Sequence, residues 1–198
     1  LPNATRDDPA FADNVYWRGR IWPNVNYLVW LALRRTGHYS ESSLLAEQSL
    51  NLFLQNWRTQ RIAAENYNAS TGAAMDQGDT DPFYIWAGLL PLMAVSELVD
   101  IDPWNGLTLT NVGSATQCGP MVSAFGPLAV SIENATLTAA ISAQPSLSFS
   151  FPGTLTKIQL TPNRISATLL RITTAGQIIL HRDATDAPLL ALLNGKVI

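Results

Sequence analysis

The chain has 198 residues, which is enough for one domain or two small ones. Hydrophobic residues make up 47% of the sequence and include six tryptophans, so the chain can bury a core and lacks the composition of a disordered protein. Only 14% of the residues are charged and the net charge is -3, which excludes the basic surface typical of proteins that bind nucleic acid or anionic membranes.

No membrane span and no disulfide framework are predicted. A helix needs ~18 consecutive apolar residues to cross a bilayer. The longest candidate, Phe83 to Val99, is interrupted by Pro91 and Glu97. Cys118 is the single cysteine, so it has no partner for an internal disulfide and cannot belong to a cysteine cluster that binds a metal.

Two helices are predicted in the first third of the chain. The first begins near Pro23, a residue that suits the first helical turn, and stops at Gly37. The second follows Ser40 as N-cap. It carries apolar side chains at the i, i+3, i+4, i+7 spacing of one buried face, namely Leu50, Phe53, Leu54 and Trp57.

A third helix is predicted from Phe83 to about Val99, after the cap and first-turn pair Asp81-Pro82. Because it is apolar nearly all round, we expect it to be buried on most sides and kinked at Pro91. Between the second and third helices lies a polar, glycine-containing loop, residues 63–80. A loop of this length is uncommon in a compact domain unless it has a function.

The second half of the chain is predicted to consist of strands. Apolar residues alternate there with a period of two, in segments that begin at Leu107, Leu128, Leu147, Leu155, Ile165 and Gln177. Turn signals such as Pro152-Gly153 separate these segments, which is typical of an antiparallel β-sandwich. The predicted fold class is therefore α+β by segment, with a helical domain at residues 1–104 and a β-rich domain at 105–198.

The segment from Tyr16 to Leu28 is rich in side chains that bind sugars. Aromatic faces stack on pyranose rings, and arginine and asparagine donate hydrogen bonds to hydroxyl groups. Its position at the junction of a loop and a helix would direct these side chains into a pocket. The alternative is structural: Trp17 and Trp22 are core aromatics, and Arg18 pairs with an acid.

A second segment, Ala64 to Gly72, places Glu65 among polar side chains that could orient it. Glycoside hydrolysis needs two carboxyl groups, one to protonate the leaving oxygen and one to activate water or to attack directly, and Glu65 could be either. A solvated surface charge is the alternative, and it is the commoner explanation for a glutamate in a loop.

Taken together, the motifs of the helical half resemble those of glycoside hydrolase family 63. They are Tyr16-Trp17-Arg18-Gly19 with Ile21-Trp22 and Asn26-Tyr27-Leu28, then Glu65-Asn66-Tyr67-Asn68 with Thr71-Gly72, and then Phe83-Tyr84-Ile85-Trp86-Ala87. The family includes processing α-glucosidases and the bacterial mannosylglycerate and glucosylglycerate hydrolases. The order and spacing of the three motifs make the resemblance more specific than any one of them.

This resemblance implies that the helical half is the C-terminal part of an (α/α)6 barrel and that Glu65 is the general base of an inverting, exo-acting α-glucosidase-like enzyme. It also implies a sugar pocket lined by Tyr16, Trp17, Arg18, Trp22, Asn26, Tyr67 and Trp86. No aspartate here matches the setting of the family's general acid, which lies upstream of these motifs. We therefore expect the N-terminal remainder of the barrel, from the same precursor or a separate chain, to be a partner. A non-catalytic carbohydrate-binding or structural C-terminal fragment remains the alternative.

No metal or organic cofactor is expected, because this type of hydrolysis needs none. His38 and His181 lie in different halves without ligands at metal spacing. Asn-x-Ser/Thr triplets occur at Asn3, Asn68 and Asn134, which would suit an extracellular protein or one of the secretory pathway. We expect Asn3 and Asn134 to be the candidate glycosylation sites, since a glycan on Asn68 would obstruct a pocket.

Overall fold

The computed structural model describes residues 1–78, 80–102, 104–123, 126–141, 146–161, 164–172, 174–181, 192–193 and 196–197. The chain divides into two compact units, Leu1–Leu98 and Val99–Ile198. The first unit is helical and the second is built from strands, so the predicted α+β class with a β-rich second half is confirmed.

The helices of the first unit are α1 (Pro9–Asp13), α2 (Pro23–Arg35), α3 (Tyr39–Gln60), a 3₁₀-helix (Ile85–Gly88) and α4 (Leu89–Leu98). The first two predicted helices are confirmed as α2 and α3. The N-cap prediction at Ser40 is wrong, because α3 begins at Tyr39 and no side chain caps it. Helix α1 was not predicted, although Asp8 marks its start by accepting a hydrogen bond from the amide of Ala10 at 2.8 Å.

The third predicted helix begins later than expected and is less buried. Tyr84, the residue before the 3₁₀-helix, is extended. Asp81 does not cap a helix but accepts a hydrogen bond from the amide of Phe83 at 3.0 Å. Pro91 is the third residue of α4 and so lies in its first turn, where a missing N–H needs no partner, rather than in the helix interior. Burial on most sides is also wrong, since Phe83 is 64% and Ile85 93% exposed.

The core of the first unit joins its three long helices to the loop that follows α3. Its buried members are Trp30, Leu45, Ala46, Ala64, Tyr67, Ala74, Leu90 and Met93. Glu97 of α4 adds a polar tie: its carboxylate accepts hydrogen bonds from the indole of Trp30 at 2.7 Å and from the hydroxyl of Ser43 at 2.7 Å. It also pairs with Arg34 at 3.2 Å, so α2 and α3 are both bonded to α4.

The strands of the second unit are β1 (Val99–Asp102), β2 (Gly106–Asn111), β3 (Thr116–Ser123), β4 (Gly126–Glu133), β5 (Thr136–Ile141), β6 (Ser146–Phe149), β7 (Gly153–Thr161), β8 (Arg164–Leu170), β9 (Ile178–His181), β10 (Leu192–Leu193) and β11 (Lys196–Val197). In the described residues, one sheet has the order β1-β2-β7-β8 and a second has the order β3-β4-β5-β6-β9, while β10 pairs with β11. Every pairing between these strands is antiparallel.

All six predicted strand segments coincide with strands of the structure, namely β2, β4, β6, β7, β8 and β9. Strands β1, β3, β5, β10 and β11 were not predicted. Because β1 and β2 form a hairpin, the predicted domain boundary at residue 104 falls in the turn of that hairpin. The two large sheets are joined at Asn111, whose side-chain amide donates to the carbonyl of Ala135 at 2.8 Å and to that of Phe149 at 3.3 Å.

Candidate active site

The backbone of Glu65 is fixed on both sides of the loop that follows α3. Its amide donates to the carbonyl of Asp81 at 2.9 Å, and its carbonyl accepts the indole N–H of Trp86 at 2.8 Å. Two residues later, Tyr67 and Ile21 exchange both backbone hydrogen bonds, at 2.8 and 2.9 Å. Position 65 is thus held by neighbouring segments although it lies in no helix or strand.

The side chain of Glu65 is only 6% exposed, and Tyr16 contacts it directly. The hydroxyl of Tyr16 donates to Oε1 of Glu65 at 3.3 Å. Tyr16 lies in a tight turn closed by reciprocal backbone bonds between Val15 and Arg18, and its φ is 43°, which is uncommon for a residue with a side chain. The turn therefore carries an unfavourable backbone conformation that places this hydroxyl on the carboxylate.

Beside Glu65, three tryptophans and Tyr16 form an aromatic cluster. The rings of Trp17 and Trp22 stack with centroids 3.5 Å apart and an interplanar angle of 6°, and Trp86 meets Trp22 edge-on at 5.9 Å. Trp22 is fully buried, whereas Trp17 is 47% exposed. The cluster thus presents one indole to solvent on a rigid support, an arrangement that suits stacking against an apolar face of a sugar.

Three predicted pocket residues lie apart from this cluster. Arg18 forms an ion pair with Asp13 at the surface. Asn26 is buried, donates to the hydroxyl of Ser49 at 3.3 Å and lines a cavity of about 390 Å³ that Glu65 does not line. Tyr67 is fully buried in the core, where loss of hydration raises its pKa to about 12, so its phenol stays neutral. The structure therefore brings Tyr16, Trp17, Trp22 and Trp86 to Glu65 and places the other three elsewhere.

An ion pair next to the site, in which only the arginine is buried, was not predicted from the sequence. Arg20 is fully buried and forms a bidentate pair with Asp76, at 2.7 Å and 3.3 Å. The Nε of Arg20 donates to the side-chain oxygen of Asn66, the residue that follows Glu65. Arg20 and Asp76 are 56 positions apart, and nothing in that spacing indicates a pair. The sequence contained one indication that Arg20 is buried, which is its position between Gly19 and the apolar pair Ile21-Trp22.

The three sequon asparagines differ in their surroundings. The side-chain nitrogen of Asn3 donates to the carbonyl of Trp17 at 2.5 Å, and that of Asn68 donates to Asp76 at 2.6 Å, so a glycan on either would break a bond of the site. Asn134 is exposed in the turn between β4 and β5. Among the described residues, Asn134 is thus the candidate acceptor that the fold tolerates best.

Within the part of the chain that the structure describes, no group of three or more histidine, cysteine, aspartate or glutamate residues is placed to hold a metal ion. No helix in this part is long and apolar enough to span a membrane.

Residues 1–87 match the family model of the mannosylglycerate hydrolase MGH1-like glycoside hydrolase domain. The matched segment contains Glu65, its aromatic cluster and the Arg20–Asp76 pair, and it ends before α4. No curated protein and no solved structure matches the chain. The first 87 residues are therefore similar to a glycoside hydrolase domain, which supports a function in the hydrolysis of carbohydrates.

Proposed function

We propose that the first unit supplies the general base, Glu65, and part of the sugar pocket of an inverting, exo-acting α-glycoside hydrolase. The observation that carries the proposal is the contact between Tyr16 and the nearly buried carboxylate of Glu65, beside the exposed ring of Trp17. The similarity of residues 1–87 to a glycoside hydrolase domain supports it. Tyr16 and Glu65 provide an oriented carboxylate, and Trp17 provides an aromatic surface on which a sugar can stack.

In this reaction Glu65 acts on water. The carboxylate oxygen that does not bond Tyr16 accepts a proton from a water molecule, whose oxygen then attacks the anomeric carbon from the side opposite the leaving group. A second carboxylic acid donates its proton to the leaving-group oxygen as the glycosidic bond breaks. Inverting enzymes keep the two carboxyl groups ~6.5–9.5 Å apart so that the water fits between base and sugar.

We propose further that this second carboxylic acid comes from outside the chain, from the remainder of a barrel. Three acidic residues of the first unit already bond other side chains. Asp13 forms an ion pair with Arg18, Asp76 forms one with Arg20, and Glu97 accepts a hydrogen bond from Trp30. The exposed apolar side chains of Phe83 and Ile85 support a partner surface here, because apolar groups this exposed are stabilised when another part of a protein covers them.

The test uses the native protein that carries this chain, whose subunit composition is first determined by intact mass. It is assayed with a panel of α-glucosides and with α-mannosylglycerate, the second chosen because of the name of the matched family. Release of a terminal sugar supports the proposal. Binding of these sugars without release would instead favour a carbohydrate-binding module, in which the exposed Trp17 ring alone has a role.

Tyr16→Phe is expected to lower kcat about tenfold with little change in KM. The substitution keeps the ring against Trp17 and Trp22 but removes the hydroxyl that orients Glu65, and a hydrogen bond to a charged group contributes about 1.5–3 kcal/mol. Steady-state kinetics measure the effect. Tyr27→Phe is the control, since Tyr27 stacks on Trp30 in the core. Equal kinetics for the two variants would show that the hydroxyl of Tyr16 has no part in the reaction.

A further inference from the structure

The Arg20–Asp76 pair joins a fully buried arginine to a partly exposed aspartate. Arg20 is fully buried, and its pair with Asp76 uses both terminal nitrogens while Nε bonds Asn66. Arg20 is the buried member of the pair, since the side chain of Asp76 is 26% exposed. Withdrawing the guanidinium from water costs several kcal/mol, and apolar residues of the same volume often stabilise a protein as well or better. A gain in stability alone is therefore a weak explanation for this ion pair. Its position beside Asn66 and Asn68 suggests a second role.

The pair bonds both neighbours of Tyr67. Arg20 donates to the side-chain oxygen of Asn66, and the side-chain nitrogen of Asn68 donates to Asp76 at 2.6 Å. The amide nitrogen of Asn66 is buried and has no hydrogen-bond partner among the described residues, so Asn66 is held through its oxygen alone, by Arg20 and by the hydroxyl of Thr80 at 3.3 Å. The side chain that follows Glu65 is thus fixed by one charged donor, the Nε of Arg20, and by one hydroxyl, that of Thr80.

We propose that the Arg20–Asp76 pair positions Glu65, by clamping Asn66 and Asn68 so that the carboxylate stays against Tyr16. This inference rests on the proposed function, since it assigns the pair a role in placing the general base. Arg20 and Asp76 act through the backbone and touch neither the sugar nor Glu65, so they are positioning residues. A shift of about 1 Å in a catalytic group is enough to lower a rate about 10²-fold.

The carboxyl of Asp76 has a pKa below its usual value. Partial burial acts to raise the pKa of Asp76, but the hydrogen bond and charge of Arg20 and the hydrogen bond of Asn68 outweigh it and hold that pKa below its usual value. A carboxyl whose pKa is lowered by folding stabilises the folded state above its unfolded pKa of about 3.9, and this contribution is lost as the pH falls through the folded value. The clamp is therefore intact at neutral pH and fails only in acid.

Arg20→Lys in the native protein tests the inference, because lysine keeps the charge but loses the planar fork. We expect kcat to fall about 10- to 100-fold while KM changes less than about threefold. Arg34→Lys is the matched control, since Arg34 forms an ion pair with Glu97 in the same unit at 3.2 Å and lies outside the site. It should lower the thermal midpoint by a similar amount and leave kcat within about twofold.

A second readout does not need activity. The indole N–H of Trp86 bonds the carbonyl of Glu65 at 2.8 Å, so its hydrogen exchange, followed by NMR of ¹⁵N-tryptophan-labelled protein, reports whether position 65 is held. We expect exchange at least about tenfold faster in Arg20→Lys and unchanged in Arg34→Lys. If Arg20→Lys does not fold, kcat and Trp86 exchange are measured on Asp76→Asn instead, because asparagine is nearly isosteric with aspartate.

The outcomes separate the two proposals. If the native protein hydrolyses no glycoside, the proposed function fails, and the Trp86 exchange rate alone decides whether the pair positions residue 65. If the native protein is active but Arg20→Lys resembles Arg34→Lys in kcat and in Trp86 exchange, the positioning role is overturned and the proposed function stands. Loss of kcat together with faster exchange supports both.

Discussion

Glu65→Gln is expected to lower kcat for α-glycoside hydrolysis about 10³- to 10⁴-fold while leaving the thermal midpoint unchanged. An amide cannot accept a proton from water at neutral pH, so the step that activates the nucleophile is lost. The fold should survive, because glutamine has the same shape and its amide oxygen can still accept the hydrogen bond from Tyr16. The measurement is steady-state kinetics of the native protein alongside thermal unfolding.

The matched control is Glu47→Gln, the same substitution at an exposed position of α3. It removes one negative charge from the same unit without touching the aromatic cluster, so its kcat should stay within about twofold of the unmodified protein. If Glu65→Gln behaved like this control, Glu65 would not be the base, and another carboxylate would have to be sought.

Gly19→Ala is expected to give the largest loss of stability, about 3 kcal/mol or more, with loss of activity. Gly19 has a φ of +89°, and a Cβ there would lie 2.5 Å from the carbonyl oxygen of Phe11 and 2.8 Å from its Cα. Both clashing atoms belong to the backbone, so relief requires moving α1 or the turn that carries Tyr16 and Trp17. Chemical denaturation measures the free energy of unfolding.

Gly37→Ala is the control that separates the steric clash at residue 19 from the cost of a positive φ for alanine. Gly37 has a φ of +83°, close to that of Gly19, but a Cβ there meets no atom within 4 Å. Only the left-handed conformation is penalised, so we expect a loss of about 1–2 kcal/mol and unchanged kinetics. Equal losses for the two variants would contradict the expected clash between a Cβ at residue 19 and the backbone of Phe11.

The sequence was most informative where local patterns decide structure. The apolar spacing in α3 and the alternation in β4 and β7 locate those elements, because one buried face imposes its period on the sequence. Two of the elements that were not predicted, β1 and α1, are too short to show a period. Strand β1 follows α4 directly and spans only four residues, and α1 spans only five residues, too few to show a helical period.

The candidate site was predictable in its residue types but not in its contacts. The family motifs indicated Glu65 and its aromatic neighbours, and the structure brings Tyr16, Trp17, Trp22 and Trp86 to it. Other contacts arise only from tertiary structure. Asp76 reaches Arg20 across 56 positions, and no local pattern records that the loop after α3 folds back to the segment before α2. Tyr67 shows the converse, since its place in the motif indicated a pocket residue whereas packing places it in the core.

The central claim, that Glu65 activates water for inverting hydrolysis, is tested most directly by the anomer that is released first. The native protein is mixed with an α-glucoside, and the product is followed by ¹H NMR before mutarotation equilibrates the two anomers. We predict that the β-anomer appears first, because water attacks opposite the leaving group. Release of the α-anomer first would indicate a covalent intermediate and retention, and would contradict the role of Glu65 as a base acting on water.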